Sequence, residues 1–310
     1  MRALITGIRG AAGTYLAAHL RAAGVDVSGI ARPECDLLEF DAVCERIGAV
    51  NPDVVYHLAA DANVREAFDR PAEVFRNNTE GTIHLFEAVR KCGINPIIMV
   101  CSSSEVYGNN PFPMRMAEEF RNRPNNPYAV SKMTQDLFAQ MYGRDYGMRV
   151  VITRAFSYVN PLRRDLALSN FARQIAEIER GEATEILHGN LNSVRTFCDV
   201  RDVVAAFAFV PELPTVSKSR DDAGIYNIGG NDRFSIGQCL DMLVGLARVP
   251  IKTRQDPKLL RTTDVTNQIP DCRRFRELTG WAPKISMRES LGWLLNHYRV
   301  GGDRIGQRAA

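Results

Sequence analysis

Ala3-Leu4-Ile5-Thr6-Gly7-Ile8-Arg9-Gly10-Ala11-Ala12-Gly13 is the stretch whose reading decides the fold. A short apolar run passes directly into a glycine turn, and the turn opens into an alanine-rich helical stretch. The first-turn amides of such a helix have no intrahelical acceptor, and glycine lets a ligand come close to the backbone. The spacing Gly-x-x-Gly-x-x-Gly, between strand and helix, marks Gly7, Arg9, Gly10 and Gly13 as candidates for holding the diphosphate of a dinucleotide.

Outward from that turn, the pattern repeats. Ala3–Thr6, Val25–Ile30, Val54–Leu58, Ile97–Cys101 and Val150–Thr153 are short apolar runs that read as buried strands, separated by helical stretches near 12–24, 40–49, 73–92 and 127–147. Alternation of this kind predicts an α/β fold with a doubly wound parallel sheet, the Rossmann arrangement. A run such as Ile97-Ile98-Met99-Val100 suits a strand covered by helices on both faces. Beyond about residue 156 the pattern loosens. Helices are expected near 168–180, 235–247, 271–279 and 286–299, an irregular basic segment at 189–202 and a sixth strand at Ile225–Ile228, giving a smaller mixed α/β lobe. Residues 211–223 read as a surface loop and 301–310 as a flexible tail.

Composition narrows the possible partners. The chain has 310 residues, 39 Lys+Arg against 36 Asp+Glu, and a formal charge of +3, so no global field attracts nucleic acid. The seven cysteines are odd in number, scattered and without a Cys-x-x-Cys pair. That pattern predicts neither a disulfide framework nor a metal site, and points to the reducing cytoplasm. No stretch approaches the roughly 18 uninterrupted apolar residues of a membrane span, and Met1-Arg2-Ala3-Leu4 leads straight into the first strand without a signal segment. A soluble, cytoplasmic protein is the expectation.

Several residues carry chemistry. The second strand ends in Ser28-Gly29-Ile30-Ala31-Arg32, where an acidic ribose clamp would ordinarily stand; Arg32 favours a 2'-phosphate, hence NADP over NAD. Asp36 and Leu37 are candidates for the adenine edge. His57-Leu58-Ala59-Ala60 ends the third strand, where small residues let Leu58, Ala59 and Ala60 pass close to the cofactor. In Tyr128-Ala129-Val130-Ser131-Lys132 the four-residue spacing puts phenol and ammonium on one helical face. A phenol titrates near pH 10, so it passes protons at neutral pH only beside a cation that stabilises the phenolate, here assigned to Lys132. The fourth strand ends in Cys101-Ser102-Ser103-Ser104-Glu105-Val106-Tyr107-Gly108, which brings hydroxyls and a carboxylate to the edge of the sheet where such folds bind ligands.

These motifs resemble, in order and over nearly the whole chain, the extended short-chain dehydrogenase/reductase family of NAD-dependent epimerases and dehydratases. The resemblance implies that Tyr128 is the acid/base, that Lys132 also holds the nicotinamide ribose, and that Ser103 hydrogen-bonds the reacting sugar oxygen. It implies that Asn78, in Asn78-Thr79-Glu80-Gly81-Thr82, shapes the cofactor site. Within the family, Gly189–Asp202 and Asp256–Val265 are similar to segments of the branch acting on GDP-mannose derivatives, so Arg195 and Arg261 would clamp the nucleotide diphosphate, with Asn63 and Ser104 as further substrate contacts. The expected domains are then 1–158, completed by 194–230, for the cofactor, and 159–193 with 231–300 for the nucleotide-sugar. A homodimer through the helices near 73–92 and 127–147 is also implied.

Length, and the lack of an arginine-rich loop after the second strand, favour a GDP-4-keto-6-deoxymannose reductase over a 4,6-dehydratase. Glu105, which matches the dehydratases' base at sugar C5, keeps the dehydratase open as an alternative. A 4-epimerase is a further alternative, and a non-catalytic dinucleotide-binding regulator another. One departure bears on the sugar: where the family has Arg-x-Phe-Asn and then Gly-Pro, this chain has Arg154-Ala155-Phe156-Ser157-Tyr158-Val159-Asn160-Pro161.

Overall fold

The computed structural model describes residues 1–217, 224–260 and 265–301. In chain order the strands are β1 (Arg2–Thr6), β2 (Asp26–Ile30), β3 (Val54–His57), β4 (Ile97–Ser103), β5 (Arg149–Ala155), β6 (Tyr158–Val159), β7 (Ile186–His188), β8 (Val194–Thr196), β9 (Cys198–Asp199), β10 (Ile225–Ile228), β11 (Arg233–Ser235), β12 (Thr253–Gln255) and β13 (Asn267–Gln268). The helices are α1 (Ala11–Ala22), α2 (Phe40–Val50), α3 (Glu66–Asp69), α4 (Pro71–Lys91), α5 (Pro127–Tyr146), α6 (Ala167–Glu179), α7 (Val200–Phe207), α8 (Ile236–Val244), α9 (Arg273–Thr279) and α10 (Met287–Arg299).

Six strands form one sheet in the order β10-β5-β4-β3-β1-β2, and every pairing in it is parallel. Side chains alternate between two separate cores. On one face Ile5, Tyr56, Met99 and Val151 pack with Leu16 and Leu20 of α1 and Val203 and Phe207 of α7. On the other, Leu4, Val55, Ile98 and Ile152 meet Val43 and Ile47 of α2, Leu85 and Phe86 of α4, and Tyr142 of α5. A sheet buried on both faces explains why its strands read as apolar runs rather than strict alternation.

Because β1 lies between β2 and β3, successive crossovers run in opposite directions from it, opening a crevice at the carboxyl ends of β1 and β3. A third core, built from α6, α8 and α10 around Phe171, Leu240 and Leu294, supports the second lobe. Its small sheet has the order β11-β8-β13.

The segment 189–202, expected to be irregular, instead contains β8 and β9 and opens α7. Strands of two or three residues leave almost no periodic signal. α7 does leave one, since Val200, Val203, Val204 and Phe207 follow the spacing of a buried helical face. β4 also runs two residues further than expected, because Ser102 and Ser103 pair with Arg154 and Ala155. Of the expected surface loop, residues 218–223 lie outside the described residues, as do 302–310 of the expected tail.

Candidate functional site

The crevice opens on the glycine turn. Gly7 adopts φ 71°, its amide donates to Ile30 O at 2.8 Å, and its carbonyl accepts from Gly10 N at 2.8 Å. A Cβ on Gly13 would stand 2.1 Å from Gly7 O, so α1 packs against the turn only because that position is bare. Gly10 caps α1 without a side-chain acceptor, and the first turn carries no acidic residue. The amides of the first turn of α1 have no intrahelical acceptor, and a helix start of this kind suits a diphosphate. The bond from Gly7 to Ile30 draws the end of β2 beside the turn, and with it Arg32, which is exposed. Arg9 turns toward the same loop, donating to Arg32 O at 3.1 Å and pairing with Glu34. Asp36 accepts from Leu38 N at 3.1 Å, while Leu37 lies over Gly81 of α4.

The loop after β3, carrying Leu58, Ala59 and Ala60, is held from below. Buried His57 bonds Thr6 Oγ1 through Nδ1 at 2.7 Å and Thr82 Oγ1 through Nε2 at 2.8 Å, and Thr6 Oγ1 accepts from Ala59 N at 3.2 Å. Burial, with Lys132 nearby, pushes the His57 pKa down to about 3, so the ring is neutral. Asn78 sits inside α4, 1% exposed. It accepts from Asp61 N at 2.6 Å and donates to Asp61 O at 3.0 Å and Ser131 Oγ at 2.9 Å. It therefore ties the loop to α5, with its side-chain hydrogen bonds directed to protein. Asn63 is committed locally, accepting from Arg65 N and Glu66 N and donating to Glu66 Oε1 at 2.6 Å at the start of α3.

Tyr128 and Lys132 both project from α5 beside the end of β4. Asn126 starts this helix: its Oδ1 accepts from Ala129 N at 2.8 Å, and Pro127 occupies the first turn. Burial raises the Tyr128 phenol above its ordinary value, opposed first by Arg163 and then by a hydrogen bond with Ser103. Lys132 is 4% exposed, and burial lowers its ammonium, with Cys101 and Asp136 opposing that shift. None of the hydrogen bonds among the described residues uses the Lys132 ammonium. A buried charged donor in that position fits a ligand hydroxyl.

Arg163, a residue that the sequence pattern does not single out, is thus a second cation beside the phenol, in addition to Lys132 one helical turn away. Arg163 follows β6, donates to Ala62 O at 3.1 Å and forks onto Asp165 at 2.8 and 2.6 Å. Arg163 also opposes the upward shift that burial imposes on the Tyr158 phenol. Arg163 lies two residues past Arg154–Pro161, the segment that departs from the family pattern, and no local spacing ties it to Tyr128. In that segment Asn160 is wholly buried and donates to Ala11 O at 3.0 Å, pinning the turn after β6 to the start of α1.

Ser103 Oγ accepts from Glu105 N at 3.2 Å and lies beside the Tyr128 phenol. Glu105 Oε2 accepts from Asn126 Nδ2 at 2.9 Å and Oε1 from Gln268 Nε2 at 3.0 Å, and Ser104 Oγ donates to Gln268 Oε1 at 3.1 Å. Gln268 pairs in register with Arg195 on β8, so Arg195 stands beside this cluster; its Nη1 donates to Val265 O at 3.3 Å. Arg261 lies outside the described residues. Behind the site, buried Arg154 forks onto Asp136, at 2.9 and 3.3 Å, and donates to Tyr107 Oη and Glu118 O. This network locks β4, β5 and α5 together; a buried pair so fully hydrogen-bonded specifies geometry more than it adds stability.

A glycine turn at a topological reversal, a Tyr-x-x-x-Lys helix and a serine at the adjoining strand end together define an extended short-chain dehydrogenase/reductase. The chain belongs to the family described as GDP-mannose 4,6 dehydratase, whose model matches residues 33–292. It is 31% identical to the GDP-6-deoxy-D-mannose reductase of Pseudomonas aeruginosa, over 96% of this chain and 97% of that one. It is 27% identical to the GDP-mannose 4,6-dehydratase of Yersinia enterocolitica, covering 93% of this chain and 91% of the relative. Among solved structures it is similar to RMD from Pseudomonas aeruginosa complexed with NADPH, with a TM-score of 0.85 and 30% identity over 96% and 97% of the two chains.

Proposed function

We propose that the protein reduces the 4-keto group of a GDP-4-keto-6-deoxyhexose, with NADPH as reductant. The observation that carries this reading is the gathering of Ser103, Tyr128 and Lys132 at the carboxyl end of β4, in a chain alike end to end with a GDP-6-deoxy-D-mannose reductase. When bound, the cofactor supplies the hydride. Tyr128 donates its proton to the sugar oxygen, and Ser103, whose oxygen accepts from Glu105 N, donates its hydroxyl proton to the same oxygen. Arg163 stabilises the phenolate left behind, and Lys132 turns its ammonium to the cofactor's ribose. Arg32, exposed beside the diphosphate turn, takes the 2'-phosphate. Arg195 and Arg261 hold the GDP diphosphate, and Asn63, from its place beside α3, borders the sugar.

The protein acts as a cytoplasmic homodimer in this reading. Seven free thiols suit a reducing compartment, and no helix among the described residues is long and apolar enough to cross a membrane. Phe75 of α4 and Val130 and Leu137 of α5 are exposed on the two adjacent helices, an apolar face that a second copy would cover.

A 4,6-dehydratase is the second reading, favoured by Glu105, which stands two residues after Ser103 and whose amide bonds the Ser103 hydroxyl. Incubation with NADPH and GDP-4-keto-6-deoxymannose separates the two. Stoichiometric loss of reduced-cofactor absorbance, abolished in Tyr128→Phe, supports the reductase. Tightly retained cofactor, with a product lighter than GDP-mannose by one water, supports the dehydratase.

A further inference from the structure

Glu105 is held at both oxygens of its carboxylate by amides from two separate elements, the start of α5 and β13. Asn126, which caps the Tyr128 helix, reaches Oε2 at 2.9 Å, and Gln268, from the second lobe, reaches Oε1 at 3.0 Å across 163 residues of sequence. Gln268 is 2% exposed, and its other end accepts from Ser104 Oγ at 3.1 Å. A free glutamate side chain samples many rotamers; two amide donors in fork geometry leave one carboxylate plane. Each oxygen keeps a second lone-pair direction for a ligand. The backbone completes the linkage, because Glu105 N donates to Ser103 Oγ at 3.2 Å. A displacement of Glu105 therefore moves Ser103 as well. Gln268 is also register partner to Arg195, so the strand that positions the amide is the neighbour of the strand that carries the candidate diphosphate arginine.

We propose that Gln268 is a positioning residue: working with Asn126, it fixes Glu105 as a sugar-facing hydrogen-bond acceptor and Ser103 as a donor, and so couples the nucleotide-binding lobe to the catalytic strand end. The inference rests on the nucleotide-sugar reading for its substrate but not for its geometry. It predicts that occupation of the lobe by the nucleotide is felt at Glu105 through one side chain. Asn126 is unsuited to a test, since it also caps α5.

The experiment is a double-mutant cycle with Gln268→Leu and Glu105→Gln in the full chain with NADPH. Urea unfolding comes first, because it needs no substrate: the two substitutions are expected to be non-additive, and strict additivity overturns the clamp. In turnover of GDP-4-keto-6-deoxymannose, Gln268→Leu is expected to lower kcat about tenfold, and less than about twofold in the Glu105→Gln background, a loss on the scale of a misplaced reacting group. Its KM, and the affinity for GDP alone measured by calorimetry, stay within about threefold. Loss confined to KM and GDP affinity would make Gln268 a structural part of the lobe only and overturn the proposal. If the wild type loses water from GDP-mannose instead of consuming NADPH, the reductase reading fails and the same cycle is scored on that reaction. Non-additivity there upholds the clamp and additivity overturns it.

Discussion

Tyr128 is placed where burial opposes its ionisation, so the phenol stays protonated until a substrate oxygen takes the proton, and the site must then hold the phenolate. Removing that hydroxyl in Tyr128→Phe is expected to lower kcat by ~10²–10⁴-fold, the usual worth of a positioned acid, while NADPH titrations by fluorescence stay nearly unchanged. His57 gives a different kind of expectation. Its folded pKa is pushed from the ordinary 6.5 down to about 3. The unfolded chain therefore binds a proton that the folded chain refuses. The stability tied to the neutral ring is fully present above about pH 6.5 and is lost as pH falls toward about 3. In urea titrations the unfolding free energy should fall by up to ~1.4 kcal/mol more per pH unit through that window than in His57→Gln; equal slopes would mean the ring is not held neutral. At this scale the Tyr and Lys were legible because their spacing alone puts them on one face. Arg163 and Gln268 were not, because nothing local ties either to Tyr128 or Glu105. Their places depend on the turn after β6 and on the pairing of β13 with β8.

Among the elements, the join between β1 and α1 is the least tolerant of change. A methyl at Gly13 would meet Gly7 O at 2.1 Å and Ile8 Cα at 2.9 Å, both backbone. Gly13→Ala is expected to cost about 1–3 kcal/mol of stability, as overpacking does, and to weaken NADPH binding because the diphosphate donors shift; denaturant unfolding and cofactor titration read the two effects separately. The same join was the most legible part of the chain, since strand, turn and helix follow one another within Arg2–Ala22 and each has its own signal. The second lobe was read less well. Its helices α6, α8 and α10 announced themselves by apolar spacing, and Ser235 and Ser286 close capping boxes at the starts of α8 and α10. The short strands of its sheet are specified by distant partners, Arg195 by Phe234 and Gln268 by Arg195, a long-range relation that a local pattern does not carry.

For the whole molecule, the parallel sheet follows from the alternation of apolar runs with helices, and the crevice follows from where the strand order reverses. The outer faces of α4 and α5 carry the exposed apolar side chains Phe75, Val130 and Leu137. Leu137→Arg, which puts a charge where a second copy would lie, is expected to convert a dimer to a monomer in analytical ultracentrifugation with little change in thermal stability per chain; an unaltered sedimentation coefficient would remove this face from consideration. The central claim is that hydride passes from external NADPH to a keto-sugar once per turnover. Supplying NADPH carrying deuterium on the transferred position with GDP-4-keto-6-deoxymannose tests this directly, by mass spectrometry of the sugar. One deuterium at C4 per NADPH consumed is the predicted result. Absence of label with no net NADPH consumption, and a product formed from GDP-mannose by loss of water, would contradict it.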